Sequence, residues 1–320
     1  MKCGTVSLWM IVLLSLPQTA LADFWGACPQ QAFLIQGGFD SELISVDLAT
    51  GNFATVGSFP GSGRINAIGF NVYDGYIYGF VSDFGHVVRL GVGGWELLPP
   101  VVGLPPENFL VGDVHPVNAN YYVYDRDAGG LYVIELTGWP ALLATQVTDP
   151  TIGATARIFD FAFNPLDGHL YSVDIDGALI RIDPSDGAET VLGHVGPTGI
   201  FGATYFDVQG HLYVQHNQTG FIYLIDLSGG IEGIPPGGPV AQFLSNGPSG
   251  QKDGARCALS PGVFPEEVCD NGLDDDFDGL VDLDDDDCSG VNPPAVPMLP
   301  PLGFAALIVL LVAARRRIER

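Results

Sequence analysis

Asn71-Val72-Tyr73-Asp74-Gly75-Tyr76-Ile77-Tyr78 decides the fold because it comes back, first as Asn164-Pro165-Leu166-Asp167-Gly168-His169-Leu170-Tyr171 and then as Asp207-Val208-Gln209-Gly210-His211-Leu212-Tyr213. In each copy a polar, glycine-containing turn leads into alternating apolar and aromatic residues, which is the pattern of hairpin-linked strands. Between Phe33 and Leu259 no stretch carries the period of an amphipathic helix.

Working outward, each copy is followed by a strand, a glycine turn and another strand. The runs are 43–47 before Gly51, 87–90 before Gly94, 131–136 before Gly138, 179–183 before Gly187 and 221–226 before Gly230. A period of about 45 residues is that of four-stranded propeller blades. Four units run over 65–102, 109–147, 157–195 and 200–245, and a fifth begins at Phe33 without its first strand. Asp253-Gly254-Ala255-Arg256-Cys257-Ala258-Leu259, beyond the last unit, resembles the opening strand of the others and supplies the missing one. The expectation is an all-β β-propeller of about five blades, closed by pairing of the C-terminal strand with the N-terminal blade, so that no sheet edge is left exposed. A sixth blade requires strands hidden in 227–250.

The ends read differently. Lys2, an apolar core around Leu8 to Leu14 and Ala20-Leu21-Ala22 before Asp23 have the order of a secretory signal peptide. Without Cys3 the exported part keeps Cys28, Cys257, Cys269 and Cys288, an even set for an oxidising compartment. Of the three pairings, position along the chain favours Cys28–Cys257, flanking the repeats, and Cys269–Cys288, bracketing an acidic segment. At the other end a Pro-rich stretch, the apolar run 302–314 and Arg315-Arg316-Arg317 follow in order. This tail resembles the C-terminal sorting signals of the PEP-CTERM and IPTL-CTERM type, which implies a processing protease as partner and anchoring in the inner membrane through the tail.

The segments are therefore a signal peptide (1–22), a propeller (23–261), an Asp-rich segment (262–290), a linker with a sorting motif (291–301), a hydrophobic helix (302–314) and an Arg-rich cytoplasmic end (315–320). The chain has 12 basic against 37 acidic side chains, a net charge of −25. Such a surface repels nucleic acid and anionic lipid headgroups.

The acid is concentrated in one place. Asp274, Asp276, Asp278, Gly279, Asp282 and Asp285 stand at the first, third, fifth, sixth, ninth and twelfth places of a calcium loop, and the peptide oxygen of Leu280 falls at the seventh. Alternate carboxylates can turn inward around Ca2+, and the glycine permits the bend. The segment resembles the Asp-rich, Cys-bounded motifs of bacterial surface proteins and the thrombospondin type 3 calcium repeats, which implies a stiffened stalk. The plain alternative is a solvated acidic spacer.

Catalytic signatures are missing from the sequence. The six histidines have no paired metal-ligand spacing, and the glycine clusters precede neither helix nor lysine. Asn66, Asp113 and Asp160 lie in the innermost strands, where they either ring a channel and hold a metal, as in propeller lactonases and esterases, or hydrogen-bond neighbouring blades. Trp95, Trp139, Tyr121 and Tyr122 read as packing between blades. The repeats with their closing Asp253-Gly254-Ala255-Arg256-Cys257 resemble a family of bacterial secreted propeller-type repeat proteins of unassigned activity, over nearly all of 33–261. The resulting reading is a surface-sorted binding or structural module for a glycan or protein ligand, with a secreted hydrolase using a channel metal as the alternative.

Overall fold

The computed structural model describes residues 23–138, 141–147, 152, 157–195, 198–227, 241–244, 252–263, 269, 282–284 and 288. The chain divides into two compact units, Met1–Pro265 and Glu266–Arg320.

Among the described residues, the first unit holds twenty strands in five four-stranded antiparallel sheets. Blade 1 contains β1 (Ala32–Gly37), β2 (Ser41–Val46) and β3 (Phe53–Phe59). Blade 2 is β4 (Ile65–Phe70), β5 (Ile77–Val81), β6 (His86–Gly91) and β7 (Gly94–Leu97). Blade 3 is β8 (Val111–Val114), β9 (Asn120–Asp125), β10 (Gly130–Glu135) and β11 (Ala144–Gln146). Blade 4 is β12 (Ala162–Phe163), β13 (Leu170–Val173), β14 (Ala178–Ile182) and β15 (Glu189–His194). Blade 5 is β16 (Phe201–Phe206), β17 (His211–His216), β18 (Phe221–Asp226) and β19 (Ala241–Leu244). The last strand, β20 (Lys252–Ala255), returns to blade 1 and pairs with β1 in the register Phe33↔Ala255 and Ile35↔Asp253.

The innermost strands close the ring: β20 packs on β4, β4 on β8, β8 on β12, β12 on β16, and β16 on β20. This is the five-bladed disc implied by the repeat, shut by its own last strand. The strand ends at Ala255 and is shorter than the sequence suggests. Next to it, the Arg256 guanidinium donates to the carbonyl oxygens of Gln30 (3.2 Å), Phe206 (3.5 Å) and Pro261 (2.6 Å). Cys28 and Cys257 are bonded at this seam.

Apolar residues fill the space between blades rather than one central core. Phe33, Leu43, Phe70 and Leu90 pack between blades 1 and 2; Phe80, Phe109, Tyr121 and Ile134 between blades 2 and 3. Tyr124, Phe161, Phe163 and Leu170 fill the next gap, and Val173, Phe206, Leu212 and Tyr223 the one after. Each fully buried side chain of this size contributes about 1.5–3 kcal/mol. Trp95 packs partly buried against the first cluster, Tyr121 and Tyr122 are buried, and Trp139 lies outside the described residues.

The recurring octapeptide has a physical explanation in the turn from the first to the second strand of a blade. Asn71 Oδ1 accepts the Tyr73 N–H (3.0 Å), Asp74 Oδ1 accepts the Tyr76 N–H (3.1 Å), and Asp74 Oδ2 accepts the Tyr78 hydroxyl (2.7 Å). Asn164, Asp167 and Tyr171 repeat the same network, at 2.9 Å to Leu166 N–H, 2.9 Å to His169 N–H and 2.6 Å to the Tyr171 hydroxyl. In the shorter third copy Asp207 alone takes both acceptor roles, binding the Gln209 N–H (2.9 Å) and the Tyr213 hydroxyl (3.0 Å). Gly75 and Gly168 sit at φ 71° and 74°, where a Cβ is unfavourable. Blade 3 builds the same turn without the signature: His115 Nδ1 accepts the Val117 N–H, Asn118 Oδ1 the Asn120 N–H, and Ala119 adopts φ 59°.

In the second unit, Cys269 and Cys288 are bonded, and Asp282–Asp284 form one 3-10 turn.

Candidate binding site at the axial mouth

Of the three inner-strand residues singled out in the sequence, two act between blades. Asp113 Oδ2 accepts the Phe163 N–H of blade 4 (2.9 Å) while its Oδ1 accepts the Val114 N–H (2.8 Å). Asp160 Oδ2 accepts the Thr204 N–H of blade 5 (2.6 Å), and its Oδ1 the Phe161 N–H (2.8 Å). A third carboxylate, missed in the sequence, completes the set. Asp253 binds the N–H groups of Ala67 (2.5 Å) and Ile68 (3.1 Å) in blade 2. Both oxygens of each carboxyl are thus engaged by backbone donors, and a channel metal would have to displace them. Among the described residues, no group of three or more His, Cys, Asp or Glu is placed to hold a metal ion.

Burial pushes all three carboxyls up. Asp113 is raised to about 7. Asp160 and Asp253 are held well above the ordinary carboxylate range, first by removal from water and then by the neighbouring acids. The junctions without a carboxylate bridge rely on glycine instead. A Cβ on Gly69 would lie 2.4 Å from Val114 N, and one on Gly254 would lie 2.7 Å from the Cβ of Ala203, so only glycine lets β4 approach β8 and β16 approach β20.

At one end of the axis the entrances of the inner strands stay apart and leave a cavity of about 240 Å³. Every blade contributes: Lys252 from blade 1, Asn66 from blade 2, Asn108 and Arg126 from blade 3, Phe159 from blade 4, and Ile200 and Asn217 from blade 5. Arg64, just ahead of β4, lies at the rim and pairs with Asp83 at 3.8 Å. No Asp or Glu is among the lining residues. Two β-bulges shape the mouth. One falls between Asn66 and Gly69, with Ala67 at φ 55°, and the other between Phe201 and Ala203, at Gly202. Bulges of this kind re-aim side chains beside functional sites.

The polar groups of the mouth are unusual in two respects. Asn108 Oδ1 and Asn217 Oδ1 are buried without a hydrogen-bond partner, and Asn217 as a residue is only 4% exposed. Lys252 is 5% exposed, and removal from water brings its ammonium down to about 8. Arg126 lies over the Phe159 ring at 4.5 Å, a cation–π contact that fixes a flat platform at the wall. Asn66 is the one mouth residue that sequence reasoning had picked out. The others were hidden because Arg64, Arg126 and Lys252 are far apart in the chain. Their scarcity was the available signal: setting aside Lys2 and the four arginines from Arg315 on, seven basic side chains remain, and three of them meet here.

The other predicted site residues are placed as follows. Cys28–Cys257 and Cys269–Cys288 are the two disulfides expected. Of the calcium-loop positions, Asp282 opens the 3-10 turn, whereas Asp274, Asp276, Asp278, Leu280 and Asp285 lie outside the described residues. The signal peptide and the tail also lie outside them. Among the described residues no helix is long and apolar enough to cross a membrane.

Five sheets around an axis, each bridged to the next by its inner strand, define the protein as a five-bladed β-propeller. More particularly, the chain belongs to the family described as a repeat of unknown function (DUF6923), whose model matches residues 33–259. A search of the curated proteins finds no match. Among solved structures, the chain is similar to a structural genomics protein of unknown function from Bacteroides thetaiotaomicron VPI-5482, at 15% identity over 61% of this chain and 56% of that one, with a TM-score of 0.39. The chain thus spans little more than half the length of that protein. It is also similar to a chain of the nidogen/laminin complex, at 14% identity over 72% of this chain and 99% of that one, with a TM-score of 0.44. A third is selenomethionine-substituted virginiamycin B lyase from Staphylococcus aureus, at 13% identity over 69% and 72%, with a TM-score of 0.39.

Proposed function

We propose that the protein is an exported β-propeller that works as a binding module at the cell surface, with its ligand seat at the axial mouth. The observation that carries this reading is the convergence of all five blades on a single open cavity, lined by Arg64, Arg126, Lys252 and the amide residues Asn66, Asn108 and Asn217. A larger hollow of about 440 Å³, between the turns carrying Tyr73 and Val117, is lined by residues of blades 2 and 3 alone.

Export is supported by the signal-like N-terminus and by the two disulfides, which persist in oxidising compartments. The tail with Arg315-Arg316-Arg317 is the proposed sorting and membrane-anchoring element, cut by a processing protease. The acidic segment bounded by Cys269 and Cys288 is the proposed calcium-stiffened stalk, with Asp274, Asp276, Asp278, Asp282, Asp285 and the Leu280 carbonyl as ligands. Its affinity would be that of extracellular modules, on the order of 0.1–1 mM.

The test of the binding module is an array of soluble oligosaccharides and peptides probed with the full chain and with Ile200→Trp, which fills the mouth. Binding lost in the variant supports the reading. An array on which no ligand depends on the mouth overturns it.

A further inference from the structure

We infer that the axial mouth accepts an acidic sugar of monosaccharide size, a hexuronate, with its carboxylate on the basic side chains and its ring on the Phe159 wall. This rests on the binding-module reading above and names the ligand class for the same cavity.

Three features point to this class. The first is charge. The chain carries a net charge of −25, yet Arg64, Arg126 and Lys252 line one cavity that no carboxylate enters. A converging set of cations in an acidic molecule selects an anion and focuses it there. Guanidinium groups match a carboxylate through two parallel, charge-assisted N–H bonds, which are stronger than those to the hydroxyls of a neutral sugar.

The second is the amides. Asn66, Asn108 and Asn217 sit on three different blades and line the cavity with amides, which can both donate and accept. Inorganic phosphate or a bare carboxylate offers an amide few or no hydrogens. Sugar hydroxyls offer several and accept from the amide nitrogens as well.

The third is shape. Phe159 with Leu110 and Ile200 gives the wall an apolar side, and Arg126 already stacks on the Phe159 ring. The C–H face of a pyranose packs against such an apolar wall. A cavity of about 240 Å³ holds a ring of this size with its carboxylate but not a long chain, so the terminal unit of an acidic polysaccharide enters.

The test is calorimetric titration of the full chain with glucuronate, galacturonate, glucose and inorganic phosphate at low salt. The expected result is hexuronate binding at least tenfold tighter than glucose or phosphate, weakened as salt is raised. Arg126→Ala and Asn217→Ala should each reduce it tenfold or more while leaving the melting transition within a few degrees, and Arg126→Lys should restore part of it. Equal binding of glucose removes the carboxylate from the argument, and equal binding of phosphate removes the sugar. Either result overturns the inference. If none of the four binds but the array shows another ligand that depends on the mouth, the inference fails and the binding module stands. If the array also shows nothing, both fail.

Discussion

Asp253 and Ala67 are 186 residues apart in the chain and 2.5 Å apart in the fold, joined by the hydrogen bond from the Ala67 N–H to Asp253 Oδ2. The Ala67 carbonyl oxygen accepts the Tyr121 hydroxyl at 2.6 Å, so one residue of blade 2 is clamped by blade 1 and blade 3 together. The clamp falls on the bulge between Asn66 and Gly69, beside the mouth.

Asp253→Ala leaves the N–H groups of Ala67 and Ile68 buried without an acceptor. At about 1–3 kcal/mol for each such donor, unfolding in urea should show a loss of about 2–6 kcal/mol. A loss under 0.5 kcal/mol would mean that the ring is not held by this strand.

Stability should fall as pH rises from about 4 to about 7. The Asp113 carboxyl is raised from its ordinary value to about 7 by burial, and Asp160, Asp253 and Tyr121 stand in the same buried group. With its folded value above the unfolded one, the native state holds a proton that the unfolded chain has given up. The contribution is therefore full below about 4 and is lost as pH passes through 7. Thermal melts between pH 4 and 8 should show this slope, and Asp113→Asn should reduce it. An unchanged slope in that variant would assign it to Asp160, Asp253 and the surface acids.

The two disulfides should act separately. Replacing Cys28 and Cys257 by Ser opens a crosslink spanning 229 residues and should cost about 2–5 kcal/mol in the melting of the disc. Replacing Cys269 and Cys288, which span 19, should leave that transition where it is.

Ala119→Gly should stabilise the protein slightly. Ala119 holds φ 59°, a conformation that costs a residue with a Cβ about 1–2 kcal/mol. Glycine removes that strain but loses more chain entropy on folding, so the net gain is about 0.3–1 kcal/mol, readable from the shift of the urea midpoint.

The blades were legible because their turns are written in Asn, Asp and Gly, whose side chains and φ values make the turn itself. Blade 3 was found from its strands alone, since His115, Asn118 and Ala119 perform the same task with other atoms. The closing strand was legible because a blade lacked one. The disulfide at the seam followed from the positions of Cys28 and Cys257 at the two ends of the repeats. The mouth was not legible. Arg126 lies in a hairpin turn, Asn217 in another and Lys252 at the start of β20, and only the ring brings them to one point. Asp253 was quoted for its strand and passed over for its carboxyl, because a single acid in a short apolar run carries no periodic mark.

The position of β20 has a consequence for how the molecule comes into being. Its first sheet is the last to be finished: β1, β2 and β3 must wait for Lys252–Ala255, so a chain emerging from its N-terminus makes three or four provisional blades before any edge is sealed. Truncation anywhere before Lys252 would leave two sheets with open flanks facing each other, and these flanks are where association between copies would begin.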